Sequence, residues 1–528
     1  MNTDLILFTS IWMLPLFAAA ATLAVRSERL TRALATATAA FVVLLSLVAF
    51  ARDASDHAFA RTDAVFAPNF LGVRYHVGID GLSAVLLPVA SLVVLAVLLG
   101  SPHKELTAKL TRRILCTESF LLGLLVSLDL SILTLFWIAS LGPLWVDLVQ
   151  RKEKTAARLL SLLGLLSSLP MVLLLCLLVV WRSKTGAAAN TPFDLAALAQ
   201  RQLHDPLPGW LGTLVIIGAL FRMGCFPFHL WIVALSERAP FPLTLTAFAM
   251  PLGLFVMTRV PMPLFSGVFA DAMPVLLWLG LISATYGAAL ALAQHDLRRM
   301  LGYFWMSQQG FLLVGIASLN APGVSGALIH AIGTVIVRTG LALLIGSVVA
   351  RAGTADMRQL GGLSRSAPQM AAGFLLLGIA AVGTPGTLGF VSEDLIAQGL
   401  LEHHHIAAVV VLLTTALNGV VLFQAFSRVF LGEENERFRK PHSFAELLPR
   451  ERWVAVSLFS LLLIGGIVPA PLLAVRTSVV DALGAGVRKH GKRVPKTQTK
   501  TADFPTQNPA DVTALNTRWT SGHPIHSQ

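Results

Sequence analysis

The feature that most constrains this chain is a succession of apolar runs, each about 20 residues long and separated by short polar segments. A run of that length is what an α-helix needs to cross the hydrocarbon core of a bilayer. On this criterion the sequence contains fourteen candidate spans. They cover residues 8–26, 30–50, 80–100, 112–128, 130–149, 157–181, 209–236, 241–262, 271–293, 299–318, 323–350, 369–396, 405–431 and 452–475.

The composition agrees with a chain that lies mostly in lipid. Of its 528 residues, 55% are hydrophobic and 13% are charged, and the mean hydropathy is +0.73. A soluble core does not need so many apolar residues, so we predict an all-α polytopic membrane protein. We expect the first run to be retained, because it is too long and too closely followed by others for a cleaved signal peptide.

Lysine and arginine collect in alternate connections between the spans, which predicts the orientation of the chain. With an even number of spans, this bias places both termini outside. The formal charge of +12 therefore reflects inward-facing loops and does not indicate nucleic acid binding. The basic connections hold Arg26, Arg29 and Arg32; Lys104, Lys109, Arg112 and Arg113; Arg151, Lys152 and Lys154; Arg298 and Arg299; Arg351, Arg358 and Arg365; and Arg437, Arg439 and Lys440.

The sequence carries no pattern typical of a cofactor site. Cys116, Cys176 and Cys225 lie singly in separate apolar runs, without the spacing of a disulfide framework, a metal site or an iron–sulfur cluster. There is no glycine fingerprint for a dinucleotide. We therefore expect no cofactor, no metal and no redox site in this chain.

Two of the predicted spans are interrupted. The seventh contains Gly224 and Pro227, and the twelfth contains the stretch "GTPGTLG" at 383–389. Proline removes a backbone donor and clashes with the preceding turn, so each helix is expected to break there. Glycine and proline are also common in ordinary membrane helices. Two breaks five spans apart are, however, typical of internally repeated transporters, whose functional sites lie beside the breaks.

Five motifs give the chain a resemblance to a known family. They are "YHVGIDGLS" (75–83), "FPFHLW" with "SERAP" (226–240), "DLRRMLGYFWMSQQGF" (296–311), "GGLSR" (361–365) and "GTPGTLGFVSE" (383–393). In this order they resemble the antiporter-like subunits of respiratory complex I, a family of proton-conducting membrane transporters. The first motif is similar to that of subunit M, or chain 4, of bacterial NADH:quinone oxidoreductase.

The resemblance implies a fold of two inverted five-helix repeats with helices seven and twelve broken. We therefore expect an N-terminal three-helix region over 1–110, the first repeat over 111–262, the second over 263–431, and a loop with the last helix over 432–480. Polar and basic residues replace the apolar pattern in 481–528, which predicts a flexible tail.

The resemblance also implies a function and partners. Such a subunit forms one proton channel of a membrane arm, driven by quinone reduction in neighbouring subunits of the bacterial inner membrane. Its partners would be those other membrane subunits, the lipid bilayer, and protons or sodium ions. Whether the chain counts as part of an enzyme depends on the complex it joins.

Ionisable residues inside a membrane are costly and therefore functional by default. In the first half, the family's glutamate of span five is replaced by Ile138 and its lysine of span seven by Arg222, whereas "AFAMPLG" (247–253) holds no charge. Arginine keeps its proton, so Arg222 is expected to be a fixed charge. Glu118 or Asp147 could replace the missing carboxylate.

In the second half, the family's two histidine positions hold Gln308 and Thr334. His330 lies one turn before Thr334 and could substitute, and Arg338 falls where relatives carry lysine. Glu393 matches the family's acidic residue after the second break.

His229 completes the candidate proton-path residues, which are Glu393, Arg222, Arg338, His229, His330 and Glu118. We expect His229 either to bond backbone groups freed by the first break or to join a hydrated path.

These substitutions leave three hypotheses open. The chain could pump as a subunit of the oxidoreductase, or it could keep the fold as a scaffold without pumping. It could also belong to a related complex: a multisubunit cation/proton antiporter, a membrane-bound hydrogenase or an inorganic-carbon uptake system.

Overall fold

The computed structural model describes residues 3–56, 62–70, 73–185, 193–201, 207–433, 438 and 444–474. Within these residues the chain is almost entirely α-helical, as predicted. The helices are α1 (Thr3–Ala21), α2 (Glu28–Asp56), α3 (Gly81–Gly100), α4 (Ala108–Val126), α5 (Leu130–Ala139), α6 (Gly142–Gln150), α7 (Lys154–Thr185), α8 (Leu195–Arg201), α9 (Gly209–Met223), α10 (Leu230–Arg238), α11 (Phe241–Ala247), α12 (Leu252–Arg259), α13 (Pro261–Leu264), α14 (Ser266–Leu292), α15 (Leu297–Ala317), α16 (Ala321–Ala352), α17 (Pro368–Ala381), α18 (Leu388–Leu401), α19 (His405–Phe430), α20 (Pro449–Ile467) and α21 (Ala470–Ala474). The predicted tail 481–528 and the basic residues Arg437, Arg439 and Lys440 lie outside the described residues.

Each predicted span falls on one helix or on two or three helices separated by short interruptions, and span five is divided between α5 and α6. Within the described residues, nine helical segments are long and apolar enough to cross a bilayer. The polytopic architecture is therefore confirmed, whereas the count of fourteen crossings, the inverted relation of the two repeats and the domain boundaries stay predictions.

Polar residues between the spans mark helix starts. Asp129 precedes α5 and accepts hydrogen bonds from the backbone N–H groups of Ser131 and Ile132. Asp296 does the same for the first turn of α15, and Asn320 accepts from Gly323 N at the start of α16. Such side chains satisfy donors that have no partner inside the helix. The short polar punctuation of the sequence is thus explained by helix capping.

One antiparallel hairpin departs from the all-α prediction. It pairs β1 (Thr62–Phe70) with β2 (Val73–Ile79) in the connection between α2 and α3. The hydroxyl of Tyr75 accepts a hydrogen bond of 2.8 Å from Trp12 Nε1, which ties the hairpin to α1. Apolar residues alternate along β2, at Val73, Tyr75, Val77 and Ile79, but this pattern is much shorter than the neighbouring hydrophobic runs.

Both predicted helix breaks are present. The first separates α9 from α10 and includes a cis peptide bond between Phe226 and Pro227. The second separates α17 from α18. Each break contains a glycine in the left-handed region, Gly224 with φ of 71° and Gly383 with φ of 70°, a conformation that side chains other than glycine rarely adopt.

The eighth span is also broken, and here the prediction of a single helix over 241–262 is wrong. Helix α11 ends at Ala247 and α12 begins at Leu252, with Pro251 between them. Proline cannot donate a backbone hydrogen bond and restricts the residue before it, so the helix cannot continue. This third break is fully buried by neighbouring helices.

Candidate functional site

Arg222 lies near the end of α9, buried with 3% of its surface exposed. Its Nη2 donates a hydrogen bond to Ser140 Oγ, and its guanidinium carbon lies 4.8 Å from the ring centre of Trp137. Its Nε and Nη1 have no hydrogen-bond partner, and no carboxylate lies within 4 Å among the described residues. An aromatic face and a hydroxyl therefore stabilise this cation in place of a carboxylate.

Neither acidic candidate of the first half pairs with Arg222, so that part of the prediction is wrong. Glu118 is fully buried on α4, but its two carboxylate oxygens have no hydrogen-bond partner. Asp147 instead binds Arg113 and Arg151 at the basic edge of the protein. Ile138 is 45% exposed, so its side chain lies on the surface of the chain, away from the interior.

Residues that the sequence did not predict form hydrogen bonds with backbone groups at the first break. Ser283 Oγ accepts a hydrogen bond of 2.9 Å from Phe226 N, and Trp231 Nε1 donates one of 3.1 Å to Phe221 O. The ring of His229 lies 5.7 Å from that of Tyr286, in edge-to-face contact. The structure thus places His229 in an aromatic cluster beside the break, and its role stays a prediction.

Arg338 reaches from α16 to the third break, an arrangement that the sequence did not predict. Its Nη1 donates a hydrogen bond to the carbonyl of Phe248, and its guanidinium lies 3.6 Å from the ring centre of Trp305. The Phe248 ring is in turn 6.0 Å from Arg222. A guanidinium from α16 therefore lies against the stretch 247–253 of span eight, which holds no charge of its own.

A small cavity lies between α15, α16, α17 and α18. Its volume is about 10 Å³, close to the volume that one water molecule requires. Two buried nitrogens, Gln308 Nε2 and His330 Nε2, have no hydrogen-bond partner within the described chain, and both residues line this cavity. Thr334, Arg338 and Ser392 are among its other lining residues.

The hydrogen bonds of Ser392 decide which His330 nitrogen carries a proton. Ser392 Oγ donates to Gly389 O at 2.8 Å, which uses its single proton. The contact of 3.0 Å between His330 Nδ1 and Ser392 Oγ must then be donated by the imidazole. In the neutral ring, His330 Nε2 is left as an acceptor, and it has no hydrogen-bond partner among the described residues.

Glu393 lies on α18, after the second break, with 8% of its surface exposed. Its Oε2 accepts a hydrogen bond of 2.9 Å from Thr415 Oγ1 on α19. No cation lies within 4 Å of the Glu393 carboxylate in the described part of the chain. Among the described residues the side chain thus has a hydroxyl partner and no cation beside it.

The structure brings His330 and Arg338 together in the cavity and leaves the other candidates apart. Arg222, His229 and Glu118 lie at separate places in the first half, and Glu393 faces α19, away from the cavity. Sequence reasoning missed Ser140, Trp137, Phe248 and Trp305. Of these four residues, only Phe248 could have been found from the sequence, because Pro251 indicates a helix break beside it. No group of three His, Cys, Asp or Glu side chains in the described ranges could hold a metal ion.

Comparisons with known proteins agree with this architecture. NADH-quinone oxidoreductase subunit M of Rickettsia conorii is 26% identical over 439 residues, which cover 82% of this chain and 87% of the relative. F(420)H(2) dehydrogenase subunit M of Methanosarcina mazei is 28% identical over 355 residues, covering 65% and 71%. The structure matches a chain of respiratory complex I from Thermus thermophilus with a TM-score of 0.79 and 26% identity, over 90% of this chain and 100% of that one.

The family model described as NADH:quinone oxidoreductase/Mrp antiporter, transmembrane, matches residues 121–419. That segment contains all three helix breaks and all the candidate residues except Glu118. With more than half of its length matched, the chain belongs to the NADH:quinone oxidoreductase/Mrp antiporter family of membrane proteins.

Proposed function

We propose that this chain is a membrane-arm, antiporter-like subunit of a proton-translocating NADH:quinone oxidoreductase, or of a close paralogue of that complex. Quinone reduction in neighbouring subunits would drive proton transfer through the second half of this chain. The observation that carries this proposal is Glu393, a buried carboxyl beside a helix break with a hydroxyl partner and no cation within 4 Å among the described residues.

The candidate residues would then have different tasks. His330 would exchange protons with water in the cavity that it shares with Gln308, and Glu393 would exchange them on the other side of α18. Arg222 and Arg338 would supply fixed positive charge, because a guanidinium does not release its proton at neutral pH. His229 and Glu118 would be secondary sites, since neither contacts another candidate.

A second function has a specific observation in its favour. Arg222 replaces a lysine and has no carboxylate partner in the described chain, so the first half could be a scaffold that does not conduct protons. The family description also includes Mrp antiporters. A scaffold or ion-path subunit of a cation/proton antiporter, a membrane-bound hydrogenase or an inorganic-carbon uptake system is therefore the alternative.

We also propose that the chain lies in the bacterial cytoplasmic membrane with both termini outside. Contacts between alternate basic connections support this arrangement. Arg32 donates to His103 O at 3.3 Å, and Arg450 lies 3.0 Å from His103 Nδ1. Burial and the neighbouring Arg450 and Arg32 hold the pKa of His103 below its usual value, so its neutral ring accepts the hydrogen bond from Arg450. These connections thus meet at one edge.

The proposal is tested by purifying the assembly through a tag on this chain and identifying the copurifying subunits. We expect quinone reductase subunits, NADH-driven quinone reduction and, after reconstitution in vesicles, proton uptake that persists without sodium. Copurification with only cation antiporter subunits, or uptake that requires sodium, would support the alternative.

A further inference from the structure

A basic groove at the edge of the first half is separate from all the candidate residues. It lies between the end of α1 and the start of α4 and has a volume of about 520 Å³. One wall is apolar and comes from α1, and the other carries three cations from α4. The lining residues are Leu16, Ala19, Ala20, Leu23, Lys109, Arg112, Arg113, Cys116 and Gln150.

Two of the three cations have no carboxylate within 4 Å among the residues that the structure describes. Arg113 binds Asp147, which also binds Arg151, so one carboxylate is shared by two guanidiniums. Arg112 contacts only a backbone carbonyl, Thr22 O, at 3.2 Å. Lys109 is exposed, and no carboxylate lies within 4 Å of its ammonium group in the described residues. The groove therefore has surplus positive charge.

The charge and the apolar wall lie at different levels of the groove. The cations occupy the first two turns of α4, at the level where the chain leaves the apolar spans. Leu16 continues the apolar wall along α1 toward the hydrocarbon core, whereas Leu23, which is 72% exposed, lies just past the end of α1. A molecule that matches both features has an anionic head and an apolar tail.

We infer that this groove binds an anionic phospholipid, with its phosphate against Lys109 and Arg112 and an acyl chain along α1. Basic pockets between membrane helices on the inner side are typical sites for such headgroups. Free phosphate would leave the apolar wall uncovered, and a neutral lipid would leave the surplus charge unpaired.

The inference is tested on the intact complex in nanodiscs of phosphatidylcholine with phosphatidylglycerol in equal parts. Retained phosphatidylglycerol is measured by native mass spectrometry, and its affinity is measured by titration. Each cation near an anionic surface contributes about 1 kcal/mol, so Lys109→Gln with Arg112→Gln is expected to weaken binding roughly 30-fold. The matched control is Lys104→Gln, an exposed lysine of the same basic connection that does not line the groove.

Two further measurements distinguish a bound phospholipid from a folding defect and from free phosphate. Lys109→Arg with Arg112→Lys preserves the charge and is expected to retain the lipid, which separates binding from a folding defect. Inorganic phosphate added to the complex is expected not to displace the lipid, and displacement would identify a site for the free anion. Unchanged lipid retention in the double glutamine variant, or an equal loss in Lys104→Gln, would overturn the inference.

Discussion

The two predicted helix breaks share a left-handed glycine and differ in the charged side chain beside them. Gly224 and Gly383 adopt nearly the same left-handed conformation, and each helix resumes within a few residues. The first break lies beside Arg222, a cation held by Trp137 and Ser140. The second lies beside Glu393, a carboxyl held by a hydroxyl.

We infer from this difference that a broken membrane helix does not by itself form a proton path. The break supplies backbone groups and space, but only a side chain that exchanges a proton can relay one. In this chain the first break has Arg222, a fixed charge, and His229 beside it. The second break has Glu393 beside it, and the same half contains a cavity of water size.

The largest effect on stability is expected from alanine at the two left-handed glycines. Left-handed backbone costs about 1–2 kcal/mol for residues other than glycine. At Gly224 a Cβ would also lie 2.3 Å from Ile232 Cδ1, which adds about 1–3 kcal/mol of overpacking. Thermal unfolding of the complex measures both losses, with Gly224→Ala expected to be the larger.

The same pair of variants separates stability from proton transfer. At Gly383 the new Cβ would lie 2.9 Å from Glu393 Oε2 and would move the carboxylate. Gly383→Ala is therefore expected to lower proton uptake per electron in assembled complexes, whereas Gly224→Ala leaves it unchanged. Reduced uptake per electron in Gly224→Ala would show that the first half also conducts protons.

A smaller effect on stability is expected when Arg338 or Arg222 is replaced by methionine. Arg338→Met leaves the Phe248 carbonyl without this donor and is expected to lower stability by about 1–3 kcal/mol. Arg222→Met leaves no group unpaired, because Ser140 Oγ still donates to Trp137 O. Replacing an unpaired buried cation is expected to be neutral or to stabilise by about 1–4 kcal/mol. Chemical denaturation measures both, and a large loss in Arg222→Met would contradict the view of Arg222 as a replaceable charge.

The smallest effects are expected from alanine at the serines that bind His330 and Arg222. Each variant removes two buried hydrogen bonds, one with a backbone carbonyl and one with His330 or Arg222, each worth about 0.6 kcal/mol in membrane proteins. Ser392→Ala also frees His330 Nδ1 from its acceptor and is expected to slow proton uptake without abolishing it. Ser140→Ala is the matched control, with a similar loss of stability and unchanged uptake. Equal rates of uptake in the two variants would exclude His330 from the path.

The sequence predicted the parts of the fold that local chemistry determines. Apolar length gave the spans, Asp129 marked a helix start, and Pro227 and Pro385 placed two breaks, because each effect acts within one turn of the chain. Pro251 indicates the third break in the same way, but it stands within a long apolar run that favours a single helix.

The arrangement of the site depends on which helix faces which, and the sequence does not contain that directly. Arg338 and Phe248 are 90 residues apart, and nothing local connects them. For the same reason the sequence could not decide whether Glu118 or Asp147 replaces the missing carboxylate, and in the structure neither pairs with Arg222. Candidate residues could thus be named from their types, whereas their partners required the structure.

The central claim is that Glu393 relays protons in the second half of this chain. The most direct measurement is the number of protons taken up per electron by the reconstituted complex, compared between Glu393→Gln and Asp394→Asn. Glutamine can keep the hydrogen bond from Thr415 but cannot exchange a proton, and Asp394 is the exposed neighbour on the same helix. We predict fewer protons per electron in Glu393→Gln and an unchanged ratio in Asp394→Asn. An unchanged ratio in Glu393→Gln, with the complex intact, would contradict the account.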